Sequence, residues 1–346
     1  MGEIEKLQNQ LGARFDRQEG PVRVLDYGDA AREERALRDG VAITWRSWRG
    51  GLRVTGQERA PFLHRLLSGR VTGLAVGTGG HALLLEQRGK VIADLDLWID
   101  EDQILLLADT RVLSTVAAVL QRYVLRSAVS IEAIDDSTVV LALGGPGVTE
   151  VLARVEAEPP TQGGLVTTEL DGSEVRVLQR SREPWSFEML VQAADAVALW
   201  RALAGAGDVI PAGWTASEVL RVESGIPAQG AELTGSELPQ EVRLEGAIDF
   251  DKGCYLGQET VARIHYRGHV NRLLCGLRMD EAVAPGDRLI CGDRPTGQVT
   301  SAAVSALLGP VALAYVRTDD SEPGTVMRTE AGIKAHTVSL PMHGAS

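Results

Sequence analysis

The texture of this chain changes at Gly268. Upstream, short apolar runs alternate with stretches of helical spacing. Downstream only short β runs remain, punctuated by Gly and Pro. Strand–helix alternation builds layered α/β units, whereas an all-strand tail closes into a small barrel or sandwich, so the chain must combine two architectures. The downstream runs are 270–277, 288–290, 298–303, 311–316 and 326–329. Upstream, periodicity predicts strands at 51–56, 81–85, 91–99, 104–108, 129–133, 139–143, 175–178 and 187–191. Helices are predicted at 57–67, 110–124, from the 144–147 turn to about 155, at 193–206 and at 216–223. The order repeats, as two related α/β layers would. Residues 1–24 are polar and read as a loosely held segment. They precede α/β parts at 25–135 and 136–267 and a barrel at 268–346.

A chain of 346 residues with 44% hydrophobic content buries a sizeable core. Its net charge of −12 argues against an electrostatic grip on nucleic acid or anionic membrane. No run of about 18 apolar residues occurs, and the opening residues lack a leader's apolar stretch, so the expected location is cytoplasmic. Three unevenly spaced cysteines, with no C-x-x-C pair, support neither a metal site nor a disulfide framework. His265 and His269 stand four apart, but 264–270 reads as extended and broken by Gly268, so no metal is expected there. The turn Gly144–Gly145–Pro146–Gly147 lacks the third glycine and acidic residue of a dinucleotide fingerprint, and reads as a turn with a Thr149 cap.

The densest chemistry lies just before the change of texture, in Lys252-Gly253-Cys254-Tyr255-Leu256-Gly257-Gln258-Glu259 followed by Arg263. Gly253 and Gly257 permit positive φ or a close backbone approach. Lys252 and Arg263 favour a thiolate at Cys254, and Asp249 and Asp251 oppose it. The bland reading of Cys254 is a small buried hydrophobe. Glu223 is a carboxylate suited to paired hydrogen bonds with an amino group and ring N–H; its bland reading is a helix-surface glutamate paired with Arg221. On the strand 91–99, alternation places Asp94 and Asp96 on one face and Val91, Ala93, Leu95 and Leu97 on the other. Arg263 and Arg267 suit an anionic tail or a solvated rim.

The octapeptide K-G-C-Y-x-G-Q-E resembles the hallmark of the YgfZ family of folate-binding proteins, related to the glycine cleavage T-protein, an aminomethyltransferase. The resemblance spans residues from about 25 to 340. It implies an α+β fold in which two α/β domains and a C-terminal β-barrel form a T-protein-like ring around a central tetrahydrofolate. It also implies support of iron–sulfur cluster assembly or repair in client enzymes, with Cys254 as the functional thiol. Folate contacts are expected from Glu223, Asp94, Lys252, Tyr255, Gln258 and Arg263. T-proteins resemble the Glu223 segment as L-R-L-E-x-G, the glutamate contacting the pterin. They resemble residues 93–94 as two aspartates, the first catalytic, where this chain has Ala93. The alternative implied is a folate-dependent aminomethyl or methyl transferase.

Overall fold

The computed structural model describes residues 2–17, 20–125, 127–134, 137–170, 172–180 and 185–342, which include every expected site residue. The chain forms two compact units, neither a single consecutive stretch. The first comprises 1–64, 70–82 and 95–217; the second comprises 65–69, 83–94 and 218–346. Segment 218–267, expected with the second α/β part, therefore packs with the barrel strands.

In the first unit a six-stranded sheet runs in the order Leu165–Leu170, Ser173–Gln179, Phe187–Gln192, Thr138–Gly144, Val41–Trp45, Val209–Pro211. Its central strands, Phe187–Gln192, Thr138–Gly144 and Val41–Trp45, are buried on both faces, which explains their near-continuous apolar character. Val139, Leu141 and Leu143 pack with Leu152, Leu199 and Trp200 from the helices. Val140 points the other way, into a cluster with Trp98, Leu105, Leu107, Leu178 and Leu190. Strands Arg49–Thr55, Gln103–Asp109 and Ser130–Ala133 pair antiparallel.

The opening residues are not loose. Glu3–Gln10 is a helix, and its Ile4 and Leu7 join the first unit's core at 5% and 7% exposure. Burying two such side chains stabilises by about 3–6 kcal/mol, enough to hold two turns in place. Polar residues at the other helix positions mask this amphipathic pattern in the sequence.

The second unit contains a closed six-stranded barrel, ordered Arg272–Met279, Gly309–Arg317, Arg294–Ser305, Arg288–Cys291, Val326–Thr329, Lys334–Val338. The last strand escapes sequence reading because the residues it buries, Ala335 and Thr337, are small or polar. Beside the barrel interior lies a second cluster containing Leu83, Leu85, Val91, Val222, Leu233, Tyr255, Val261 and Leu274.

Two further expectations need correction. Residues 264–267, read as extended together with 268–270, are the last turn of the helix Gln258–Arg267. Thr260, Val261, Ile264 and Tyr266 carry strand preference, but Glu259 in the first turn and Arg267 in the last complement the helix dipole. At the 144–147 turn Gly147, not Thr149, occupies the N-cap, with no side-chain cap bond. No helix among the described residues is long and apolar enough to cross a membrane.

Candidate functional site

All seven expected site residues fall in the second unit. The octapeptide is a loop running into the helix Gln258–Arg267, and its two glycines do different things. Gly257 is left-handed at φ +81°, and a Cβ there would stand 2.4 Å from the carbonyl oxygen of Glu86. Gly89, in the hairpin turn after Leu85, has φ +79° and packs back on Gly257. Only glycine satisfies both the dihedral and the approach. Gly253 has neither constraint: a Cβ there would meet nothing within 4 Å.

Lys252 is buried, and its Nζ donates to the carbonyl oxygens of Leu67 at 2.6 Å and Gly69 at 2.7 Å. The ammonium also sits 5.3 Å from the centroid of the Tyr255 ring. Segment 67–69 is tied to the loop a second time. Ser68 Oγ donates to Ala247 O at 2.7 Å, and Asp249 N donates to Ser68 O at 3.0 Å. Lys252 is thus a clamp on the loop rather than a ligand group reaching outward.

Of the three cysteines, Cys254 is exposed on this clamped loop and Cys275 is buried. Burial pushes the Cys275 thiol up, and burial with Asp320 does the same at Cys291. Cys254 is therefore the most exposed of the three thiols, with Cys291 half-buried. Tyr255 is 6% exposed; its hydroxyl is buried with no hydrogen-bond partner among the described residues, and burial raises it to about 12. Gln258 is half-buried in the first helical turn, and Arg263 is exposed one turn on. Phe250 stacks on His265 at 3.8 Å between ring centroids, and Tyr266 meets both rings edge-on. No group of three or more metal-ligating side chains occurs among the described residues.

Glu223 lies at the end of the helix Trp214–Ser224, fully buried, and its carbonyl accepts from Met342 N at 2.7 Å. It is not a helix-surface glutamate. Arg221 pairs instead with Glu218 and with buried Glu232, whose carboxylate also accepts from Ser301 Oγ at 2.6 Å. The following segment lies against the strand carrying Asp94: Gln229 Nε2 donates to Leu233 O at 3.1 Å and to Ile92 O at 3.4 Å. Asp94 is half-buried, and Ala93 is fully buried on the opposite face.

Asp96 takes a different place, in a buried charge cluster of the first unit. Arg180 Nη2 lies 2.6 Å from its carboxylate, and Arg49 also binds it. Glu188, fully buried, receives Arg46 at 2.6 Å, Arg49 at 3.1 Å and Arg180 at 3.2 Å. Sequence reasoning missed four of these five residues, because Arg46 and Glu188 lie 142 positions apart. The available signal was Glu188 itself, a charge between Phe187 and Met189 in an apolar strand, which must be paired when buried.

The donor set of the second unit fits a pterin. Two carboxylates, one fully buried, match an amino group and ring N–H, and the Tyr255 hydroxyl is a buried donor without an acceptor.

Comparison with known proteins agrees with this fold. The domain family described as the GCVT N-terminal domain matches residues 4–252, and the glycine cleavage T-protein C-terminal barrel domain matches residues 272–343. An aminomethyltransferase of Saccharopolyspora erythraea is 29% identical over 98% of this chain and 97% of its own. One of Mycobacterium leprae is 31% identical over 93% of this chain and 89% of its own. The crystal structure of the glycine cleavage system aminomethyltransferase T from Bartonella henselae shares the fold, with TM-score 0.90 at 24% identity, covering 98% of this chain and 96% of that one. A mixed α+β N-terminal part, a closed six-stranded C-terminal barrel and two matching domains lead to one conclusion: the chain belongs to the glycine cleavage T-protein family.

Proposed function

We propose that this chain binds tetrahydrofolate in the cytoplasm, with Glu223 and Asp94 receiving the pterin edge. The observation that carries this reading is the full burial of Glu223 at a helix end, with the segment that follows it bonded through Gln229 to Ile92 on the strand bearing Asp94. Bound tetrahydrofolate would supply a one-carbon acceptor or carrier. Glu223 would fix the ring by paired hydrogen bonds, and Tyr255 would offer its hydroxyl. Lys252 and Gly257 hold the loop that presents Cys254, while Gln258 and exposed Arg263 are available to the distal, anionic part of the folate.

Two activities are compatible with such a site. The first is support of iron–sulfur cluster assembly or repair in client enzymes. The YgfZ-like octapeptide, its exposed Cys254, and Ala93 where T-proteins resemble an aspartate favour it. The second is aminomethyl transfer to tetrahydrofolate. The aminomethyltransferases aligned over 93–98% of the chain support this second reading more directly than anything in the comparisons supports the first. Ala93 argues against it, because its methyl can neither accept a proton nor orient an amine.

Purified protein supplied with tetrahydrofolate and glycine-cleavage or N-methyl substrates should form no methylene-folate above background on the first reading. In cells lacking the protein, the native chain should then restore an iron–sulfur enzyme where Cys254→Ser does not. Turnover in vitro with a silent Cys254→Ser would establish the transferase instead.

A further inference from the structure

A cavity of about 490 Å³ lies wholly within the first unit, away from every residue assigned to folate above. That volume suits a small organic ligand. Trp45, Leu107, Leu113, Ile134, Val140 and Leu190 give it apolar walls. Six polar side chains also line it, Glu3, Arg46, Ser47, Arg49, Thr110 and Thr138; Glu3 is paired with Lys6, and the Ser47 hydroxyl donates to Val22 O. The Arg49 side chain is only 7% exposed, with Nε on Glu188 at 3.1 Å and Nη2 on Asp96. Among the described residues its Nη1 has no acceptor. The Thr110 hydroxyl is likewise buried without a partner. These donors are neighbours: Arg49 is the cross-strand partner of Asp109, and Thr110 N donates to Trp48 O at 2.9 Å. The carboxylate of Asp109 turns instead to Arg111.

The strand beside the cavity is bare backbone at Gly50 and Gly51. A Cβ at Gly50 would stand 2.9 Å from Leu113 Cδ1 and 3.1 Å from Thr110 Cγ2. At Gly51 it would stand 2.5 Å from Leu107 Cδ2 and 2.6 Å from Ile134 Cδ1. Side chains here would press on four groups of the cavity lining. Two glycines, a buried hydroxyl without a partner among the described residues, a neighbouring guanidinium and an apolar wall are an expensive combination to leave unfilled.

We propose that this cavity binds a small amphipathic organic anion, its carboxylate received by Arg49 Nη1 and Thr110 Oγ1 and its apolar body by the wall. The Arg49 guanidinium only donates and the Thr110 hydroxyl can donate, so an acceptor head such as a carboxylate satisfies both. Among the described residues the adjoining cluster holds three guanidiniums, Arg46, Arg49 and Arg180, against the carboxylates of Asp96 and Glu188, which favours a negative charge. The site does not depend on the folate reading.

Octanoate and benzoate, with octanamide as the uncharged control, test it by ligand-observed NMR and calorimetry on the full chain. Native protein should bind the acids saturably and the amide at least tenfold more weakly. Thr110→Val, which keeps the shape and removes the hydroxyl, should weaken octanoate about tenfold. Leu113→Trp should fill the cavity and abolish binding, with both variants melting like the native chain. Absence of saturable binding at millimolar acid, equal affinity for the amide, or binding untouched by Leu113→Trp overturns the proposal. So does a crystal grown with octanoate that shows water alone in the cavity.

Discussion

Lys252→Met separates a clamp from a ligand contact. The substitution keeps the stem's volume and removes the ammonium that bonds Leu67 O at 2.6 Å and Gly69 O at 2.7 Å. Two carbonyls then lose a charged donor in a buried place, at roughly 1–2 kcal/mol each, so the expected loss is about 2–4 kcal/mol. At about 2–4 °C per kcal/mol for a unit of this size, a loss near 3 kcal/mol lowers its transition by about 6–12 °C. Calorimetry reads the transition. Hydrogen exchange over 67–69 and 249–257 locates the damage, which the clamp confines to those segments at first. If melting and exchange are unchanged while folate affinity falls, Lys252 is a ligand group and the clamp argument is wrong.

Other perturbations have equally definite outcomes. Gly257→Ala must adopt a left-handed φ and push Glu86 O aside, costing about 2–4 kcal/mol, whereas Gly253→Ala should stay within about 0.5 kcal/mol; parallel thermal melts check the pair. Glu188→Gln leaves three guanidiniums without their shared buried charge and should destabilise the first unit by about 3–5 kcal/mol in denaturant titrations. Asp320 is held below the ordinary aspartate range, chiefly by the Thr296 hydroxyl and, against desolvation, by Arg294. Its contribution is therefore present above about pH 4 and disappears as pH falls through the lowered folded value, so Asp320→Asn should flatten the acid limb of the second unit's melting profile.

Much of the fold is legible in the residues. Strand 91–99 and helix 216–223 emerge nearly to the residue, because alternation and helical spacing there coincide with real burial. Lys334–Val338 does not, since Ala335 and Thr337 give no apolar signal. The end of the helix after Gly257, 264–267, is misread because local strand preference at Ile264 and Tyr266 yields to a helix that starts at a left-handed glycine and packs Val261 in the core. At the site, composition and spacing single out Cys254 and Gly257 but cannot say that Lys252 faces inward. Its partners are the carbonyls of residues 67 and 69, more than 180 positions away. The Glu188 cluster is hidden for the same reason: a charge's partner is set by the fold, not by its neighbours in the chain.

The central claim is a reduced-folate site built on Glu223. Calorimetric titration of the native chain and of Glu223→Gln with tetrahydrofolate under reducing, oxygen-free conditions tests it most directly. The account predicts saturable one-to-one binding by the native chain and at least tenfold weaker binding by the variant, since the amide cannot accept two charged bonds from the pterin edge. Absence of binding by the native chain, or equal affinity in both, contradicts it.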